Sequence, residues 1–166
     1  MKKIQAQPLT PEAFRNYGTY QNMLDFSDRV EAWEDGRKGF FADLLQINLG
    51  KDNAPSFSIN RVGKEEGNVI NFTEFHRYTA EGILALDGDC IFHVGKAQGA
   101  PGPDKLKAFI LPRGTLVTIN PGVLHGTHIA HKEDWVNVLI ILPERTYGND
   151  CEVIPFSDDQ KIEVLY

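Results

Sequence analysis

From residue 40 onward the chain is a run of short apolar or alternating segments cut apart by Gly, Asp, Asn and Pro. "FFADLLQINL" is followed by "SFSINRV", "NVINFTEFHR", "GILAL", "CIFHVG", "LKAFIL", "TLVTI", "VNVLIIL" and "CEVIPF". Segments this short, bounded by turn formers, read as strands rather than helices. Eight or more at this spacing predict an all-β sandwich or barrel. Ahead of them, "LTPEAFRNYG" offers Thr10 as N-cap, Pro11 at the first helical position and Gly18 as a stop, which predicts one short N-terminal helix. The Gly- and Pro-rich stretch at 95–105, "GKAQGAPGPDK", resists regular structure and predicts a loop. With no internal repeat or linker, residues 1–166 read as a single domain, long enough to bury about two-thirds of its unfolded surface without disulfides or metals.

Charge narrows the partners. The chain has 17 basic and 23 acidic residues and a formal charge of -6, with no long basic run to follow a phosphate backbone, so nucleic acid is not an expected partner. No apolar run approaches the 18 or so residues of a membrane span. Cys90 and Cys151 lack CxxC spacing and read as small apolar side chains in a reducing compartment. With no signal-like N-terminal segment either, a cytoplasmic protein is expected.

The chemistry-bearing residues concentrate in "EFHRYTAEGILALDGD", 74 to 89. Glu74 and His76 are two apart, so on a strand they share a face while Phe75 points the other way. Glu81 enters the next segment, and Gly88 supplies the hairpin turn that should follow "GILAL". The spacing Glu-x-His-x4-Glu-x6-Gly resembles the first cupin motif, with Glu74 in the place of its first histidine. A counterpart of the second motif is "GTLVTINPGVLH", 114 to 125, where Asn120 replaces the usual proline and Pro121 follows at once. The resemblance implies a cupin-type double-stranded β-helix barrel whose four ligand positions are Glu74, His76, Glu81 and His125. Mixed imidazole and carboxylate ligands suit one divalent transition metal, Mn, Fe, Ni or Zn, without choosing among them, and nothing calls for an organic cofactor.

A closer resemblance covers nearly the whole chain. "QPLTPEAFRNYG", "SINR", "EFHRYTAEGILALDGD", "LKAFI", "GVLH" and "GNDCEV" look like successive segments of the ureidoglycolate lyase family. The resemblance implies a cupin barrel, usually a homodimer, that releases urea from ureidoglycolate to leave glyoxylate in allantoin and purine degradation. By position, Asn60, Arg61, Glu74, His76, Lys107 and His125 fall where the family carries like residues. The pocket motifs depart: the family's Trp-His-His-Pro reads "LHGT" here, and its Glu-Arg-His-Pro reads "EFHR".

The residue types suit the implied reaction. Ureidoglycolate is a hemiaminal bearing a carboxylate, so releasing urea needs a base for the hydroxyl proton and an acid for the departing nitrogen. Glu74, His76 and His125 can divide those jobs, or the four-residue set can hold a polarising ion. Arg61 shares parity with Phe57 and Ile59 and is expected to face an apolar interior, where it would grip the substrate carboxylate beside Asn60 and Lys107. By the same counting His93 should face solvent, opposite Cys90, Phe92 and Val94. His128 should turn away from any cavity that His125 enters, and His131 should sit in a solvated turn. The rival expectations are a metal cupin of another activity, an isomerase or dioxygenase, and a non-catalytic barrel that binds a sugar or small acid.

Overall fold

A computed structural model describes residues 1–25, 39–51, 53–64, 67–96, 105–126 and 128–166. Most of the loop expected at 95–105 lies outside them. Two sheets carry the architecture. One contains β1 (Lys2–Pro8), β4 (Val69–Ile70), β7 (Cys90–Lys96), β8 (Lys107–Leu111), β10 (Val123–Leu124), β11 (Ile129–Ala130) and β14 (Ile162–Leu165), ordered β10-β7-β8-β1-β14-β4 with β11 also on β7. The other contains β2 (Gly18–Asn22), β3 (Pro55–Gly63), β6 (Glu81–Ala85), β9 (Thr115–Ile119) and β12 (Trp135–Pro143), ordered β2-β9-β6-β12-β3. A ribbon of β5 (Phe72–Phe75) and β13 (Glu152–Pro155) completes a cupin-type barrel.

The main core lies between the two sheets. Phe92, Val94, Phe109 and Leu111 of one meet Ile83, Val117, Ile119, Val136, Val138 and Ile140 of the other. A second cluster, including Ile91, Ala108, Leu124, Ile129 and Ile162, covers the opposite face of β7 and β8. Both faces of β7 are therefore buried. His93, expected in solvent, is 1% exposed and hydrogen-bonded to the Thr73 hydroxyl at 3.2 Å. The alternation was as expected; the second apolar layer, gathered from distant segments, closes what would have been its wet side.

The expected helix is a single turn, α1 (Pro11–Phe14), in which Thr10 Oγ1 accepts from the Ala13 amide at 3.3 Å. It delivers Phe14, fully buried, edge-on against Phe92 and Phe109. Gly18 does not end the helix but opens β2. A Cβ there would lie 1.7 Å from the Thr118 carbonyl oxygen, so only glycine permits this pairing with β9. A second helical turn, α2 (Thr146–Asn149), follows β12. The turn at Gly88 is also not a hairpin, because β6 and β7 belong to different sheets and the turn carries the chain between them. Among the described residues no helix is long and apolar enough to cross a membrane.

β3 is an edge strand whose two faces are inverted relative to expectation. Phe57 and Ile59 are 65% and 56% exposed, and Arg61 shares their outward row. The Arg61 Nε donates to Asn137 Oδ1 at 3.0 Å on the neighbouring strand, and the guanidinium lies 4.6 Å from the Trp135 ring centroid.

Candidate functional site

Three chain segments converge. β5 and the end of β10 meet at an antiparallel bridge in which Glu74 N donates to His125 O at 2.7 Å and His125 N to Glu74 O at 2.8 Å. Such a closed pair makes the two residues direct cross-strand neighbours. His76 follows one residue beyond β5, and its carbonyl accepts from the Gly122 amide at 2.6 Å, which ties it to the "NPG" turn. Glu81 opens β6 opposite Ile119. Each of Glu74, His76, Glu81 and His125 thereby offers a ligand atom, all within 4.8 Å of one another.

The hydrogen bonds behind these atoms fix their chemistry. His76 Nδ1 lies 2.6 Å from the Asp150 carbonyl and His125 Nδ1 lies 2.8 Å from the Val123 carbonyl. A carbonyl only accepts, so both Nδ1 atoms carry protons. Both Nε2 atoms then aim at one oxygen, Glu81 Oε2, at 2.8 and 3.0 Å. Two neutral rings would present lone pairs to a carboxylate there; the arrangement closes only around a cation, either a proton on imidazole or a metal ion. Bonds of about 2.1 Å set adjacent ligand atoms roughly 3 Å apart, the spacing found between Glu81 Oε2 and the two Nε2 atoms. Burial alone would raise the Glu81 pKa, but the His125 and His76 imidazoles outweigh it and hold the carboxyl down to about 2. Burial likewise pushes His125 down, yet the Glu81 carboxylate and the Val123 carbonyl leave it raised above the ordinary imidazole value.

A cavity of about 310 Å³ opens over Glu74 and Glu81, walled by Asn60 and Val62 of β3, by Phe72, Ile140 and His128, and by Tyr147 of α2. Gly126 also lines it, at φ +136°, and a Cβ there would come 3.2 Å from the Phe72 ring, so the glycine keeps this wall open. Burial, with the Glu81 and Glu74 carboxylates, pushes the Tyr147 hydroxyl up to about 12. Cys151 Sγ donates to Glu74 Oε2 at 3.3 Å, and burial and Glu74 push that thiol up to about 12. Asp150 accepts from the Arg77 and Tyr78 amides at 2.8 and 2.9 Å, and Arg77 pairs with Glu152. Residues 150–152 thus clamp the turn that carries His76.

The structure brings together Glu74, His76, Glu81 and His125, with Asn60 on the cavity wall. Arg61 and Lys107 do not line it. Arg61 faces outward from β3. Lys107 is exposed on β8, its ammonium 5.9 Å over the Tyr17 ring. His128, expected to turn away, is on the cavity wall and 8% exposed. Strand counting failed there because β10 ends at Leu124 and β11 begins only at Ile129, with Gly126 between them in a conformation that no strand adopts. The sequence marks Asp150 and Cys151 only through the resemblance of "GNDCEV", and gives no signal for Tyr147. Arg61→Ala is accordingly expected to cost about 0.5–1 kcal/mol through the lost Trp135 contact and to leave kcat/KM within roughly twofold, the ordinary scatter of a surface change. A tenfold loss of kcat/KM at unchanged denaturation midpoint would return Arg61 to the site.

The family model described as ureidoglycolate lyase matches residues 1–163. The protein named "Putative ureidoglycolate lyase" of Agrobacterium fabrum is 28% identical over 129 residues, 75% of this chain and 74% of that protein. The ureidoglycolate lyase of Rhodobacter capsulatus is 28% identical over 128 residues, covering 76% and 78%. Among solved structures, a dTDP sugar isomerase from Desulfovibrio desulfuricans G20 superposes with a TM-score of 0.49 at 15% identity, over 68% of this chain and 74% of that one. That likeness is too distant to speak to activity. With a matching model over nearly its full length, the chain belongs to the ureidoglycolate lyase family.

Proposed function

We propose that the protein cleaves ureidoglycolate to glyoxylate and urea, at a divalent metal ion held by Glu74, His76, Glu81 and His125. The observation that supports it is a charge mismatch. The substrate is an anion, yet the cavity lining contains two carboxylates and, among the described residues, neither arginine nor lysine. A bound divalent ion would offset that repulsion and supply Lewis-acid polarisation to the substrate's carboxylate and hydroxyl oxygens. The four ligand atoms, within 4.8 Å of one another, and the two Nε2 atoms turned towards Glu81 fit such an ion.

The chain's own groups then divide the proton work. Glu81 is buried with one oxygen turned to both Nε2 atoms, whereas the half-buried Glu74 carries the Cys151 thiol on Oε2 and opens on the cavity. Glu74 is therefore the base that takes the hydroxyl proton as the carbonyl forms. Tyr147, with its hydroxyl pushed up to about 12, keeps its proton at neutral pH and stands at the cavity to supply the departing nitrogen. One C–N bond breaks, the O–H proton is lost and one N–H bond forms, so no water is consumed.

Incubated with each enantiomer of ureidoglycolate and a divalent metal, the protein should release urea and glyoxylate in equal amounts from at least one. Turnover of neither, or ammonia in place of urea, defeats the assignment.

A further inference from the structure

His128 is a buried, polar member of the cavity wall that the proposed proton transfers do not use. Its Nδ1 lies 3.2 Å from Asn60 Nδ2. An amide NH2 only donates, so Nδ1 is the acceptor and a neutral ring carries its proton on Nε2. That nitrogen is buried and meets no hydrogen-bond acceptor among the described residues. A buried N–H without a partner is costly, and it is rarely kept unless something else supplies the acceptor.

We infer that His128 Nε2–H is the donor for the carbonyl oxygen of the substrate's ureido group, with Asn60 locking the ring in the required tautomer. This rests on the ureidoglycolate reading and adds the ureido subsite to it. Burial drives the imidazole down to about 4 despite the Glu81 carboxylate, so at neutral pH the ring is uncharged. An uncharged donor suits an uncharged acceptor; the substrate carboxylate belongs with the cationic centre. A neutral imidazole is also too weak an acid to transfer its proton, so its role is a hydrogen bond. That bond has catalytic value. As the C–N bond breaks, electron density moves from the departing nitrogen onto the ureido oxygen, and a donor already aimed at that oxygen binds the transition state more tightly than the ground state.

N-carbamoylglycine, which keeps the ureido and carboxylate groups and lacks the hydroxyl, binds without reacting. By calorimetry on the metal-loaded protein, His128→Phe is expected to weaken N-carbamoylglycine roughly 10- to 100-fold, the range for a buried donor left without its partner, while glyoxylate affinity holds within about twofold. His128→Gln, whose side-chain NH2 falls near the original Nε2, should restore most of the loss. Equal N-carbamoylglycine affinity in wild type and His128→Phe overturns the inference alone, as does parallel weakening of both ligands, which would mark a collapsed pocket. A wild-type protein that neither binds N-carbamoylglycine nor turns over ureidoglycolate removes the substrate reading and takes the inference with it. If His128→Phe does not fold, the ¹⁵N spectrum of the wild-type ring decides: a proton on Nε2 whose resonance shifts with N-carbamoylglycine supports the donor, and a proton on Nδ1 excludes it.

Discussion

Glu81→Ala is expected to abolish turnover, by 10³-fold or more when a charged group that organises a site is removed, and to cost about 3–5 kcal/mol of stability. Both losses follow from one geometry. Glu81 Oε2 is the meeting point of His76 and His125, and deleting it leaves two buried imidazoles without a counterion. The pH dependence of metal-free protein provides an independent check. Glu81 is held at about 2 in the folded chain against an ordinary 4.5. That depression is worth about 3 kcal/mol. A depressed carboxyl pKa contributes stability that is complete above about pH 4.5 and drains away as pH falls towards 2. His125, with its pKa raised, contributes stability present below its unfolded value and lost as pH rises through the folded one. These are one interaction seen from its two ends and count once. Wild-type protein should therefore lose stability through the acid window while Glu81→Ala shows a shallower slope there; parallel slopes in urea titrations from pH 5 to 2.5 would disprove the carboxylate's role.

Exhaustive chelation is expected to remove all but a trace of lyase activity, and a divalent transition ion to restore it. His125→Ala should lose the ion yet remain folded, because the turn before it is closed by the Val123 amide on the Asn120 carbonyl, without the imidazole. Ion uptake should weaken in acid, since ligating imidazoles must shed protons and a free imidazole titrates near pH 6.5. The measurement is metal content by mass spectrometry alongside glyoxylate release. Full activity in metal-free protein would overturn the metal and leave the proton work to Glu74 and Tyr147 alone.

What the sequence revealed and what it hid have physical causes. The four clustered residues were legible because each lies at or beside a strand end pinned by a turn, where motif spacing translates directly into position. Asn60 was legible by resemblance only. Arg61 was misplaced although its parity with Phe57 and Ile59 was right: the rule that apolar rows face inward fails on a strand whose inner row lines a cavity. Asn60 and Val62 form that inner row, so the large apolar side chains go outside. His128 was lost because alternation has no meaning across a break in the strand. The segments β1 and β14 were missed for a different reason. "KKIQAQP" buries no large side chain fully, "IEVL" is only four residues long although Ile162 and Val164 are buried, and their neighbours in the sheet show both to be strands.

β1 has a consequence for how the chain is made. It lies parallel between β8, with Ala6 beside Ala108, and β14, with Lys2 beside Ile162. At roughly 5–20 residues per second of synthesis, about 8–30 s separate the emergence of Lys2 from that of its partner. Through that interval one edge of β1 has no native neighbour, the condition under which strands pair with the wrong chain. Its composition suits the wait. Lys2 and Lys3 repel a second copy, and Pro8 offers no amide to a stray ladder. The same poverty of apolar residues that hides β1 from a reader of the sequence thus protects the nascent chain until β14 arrives.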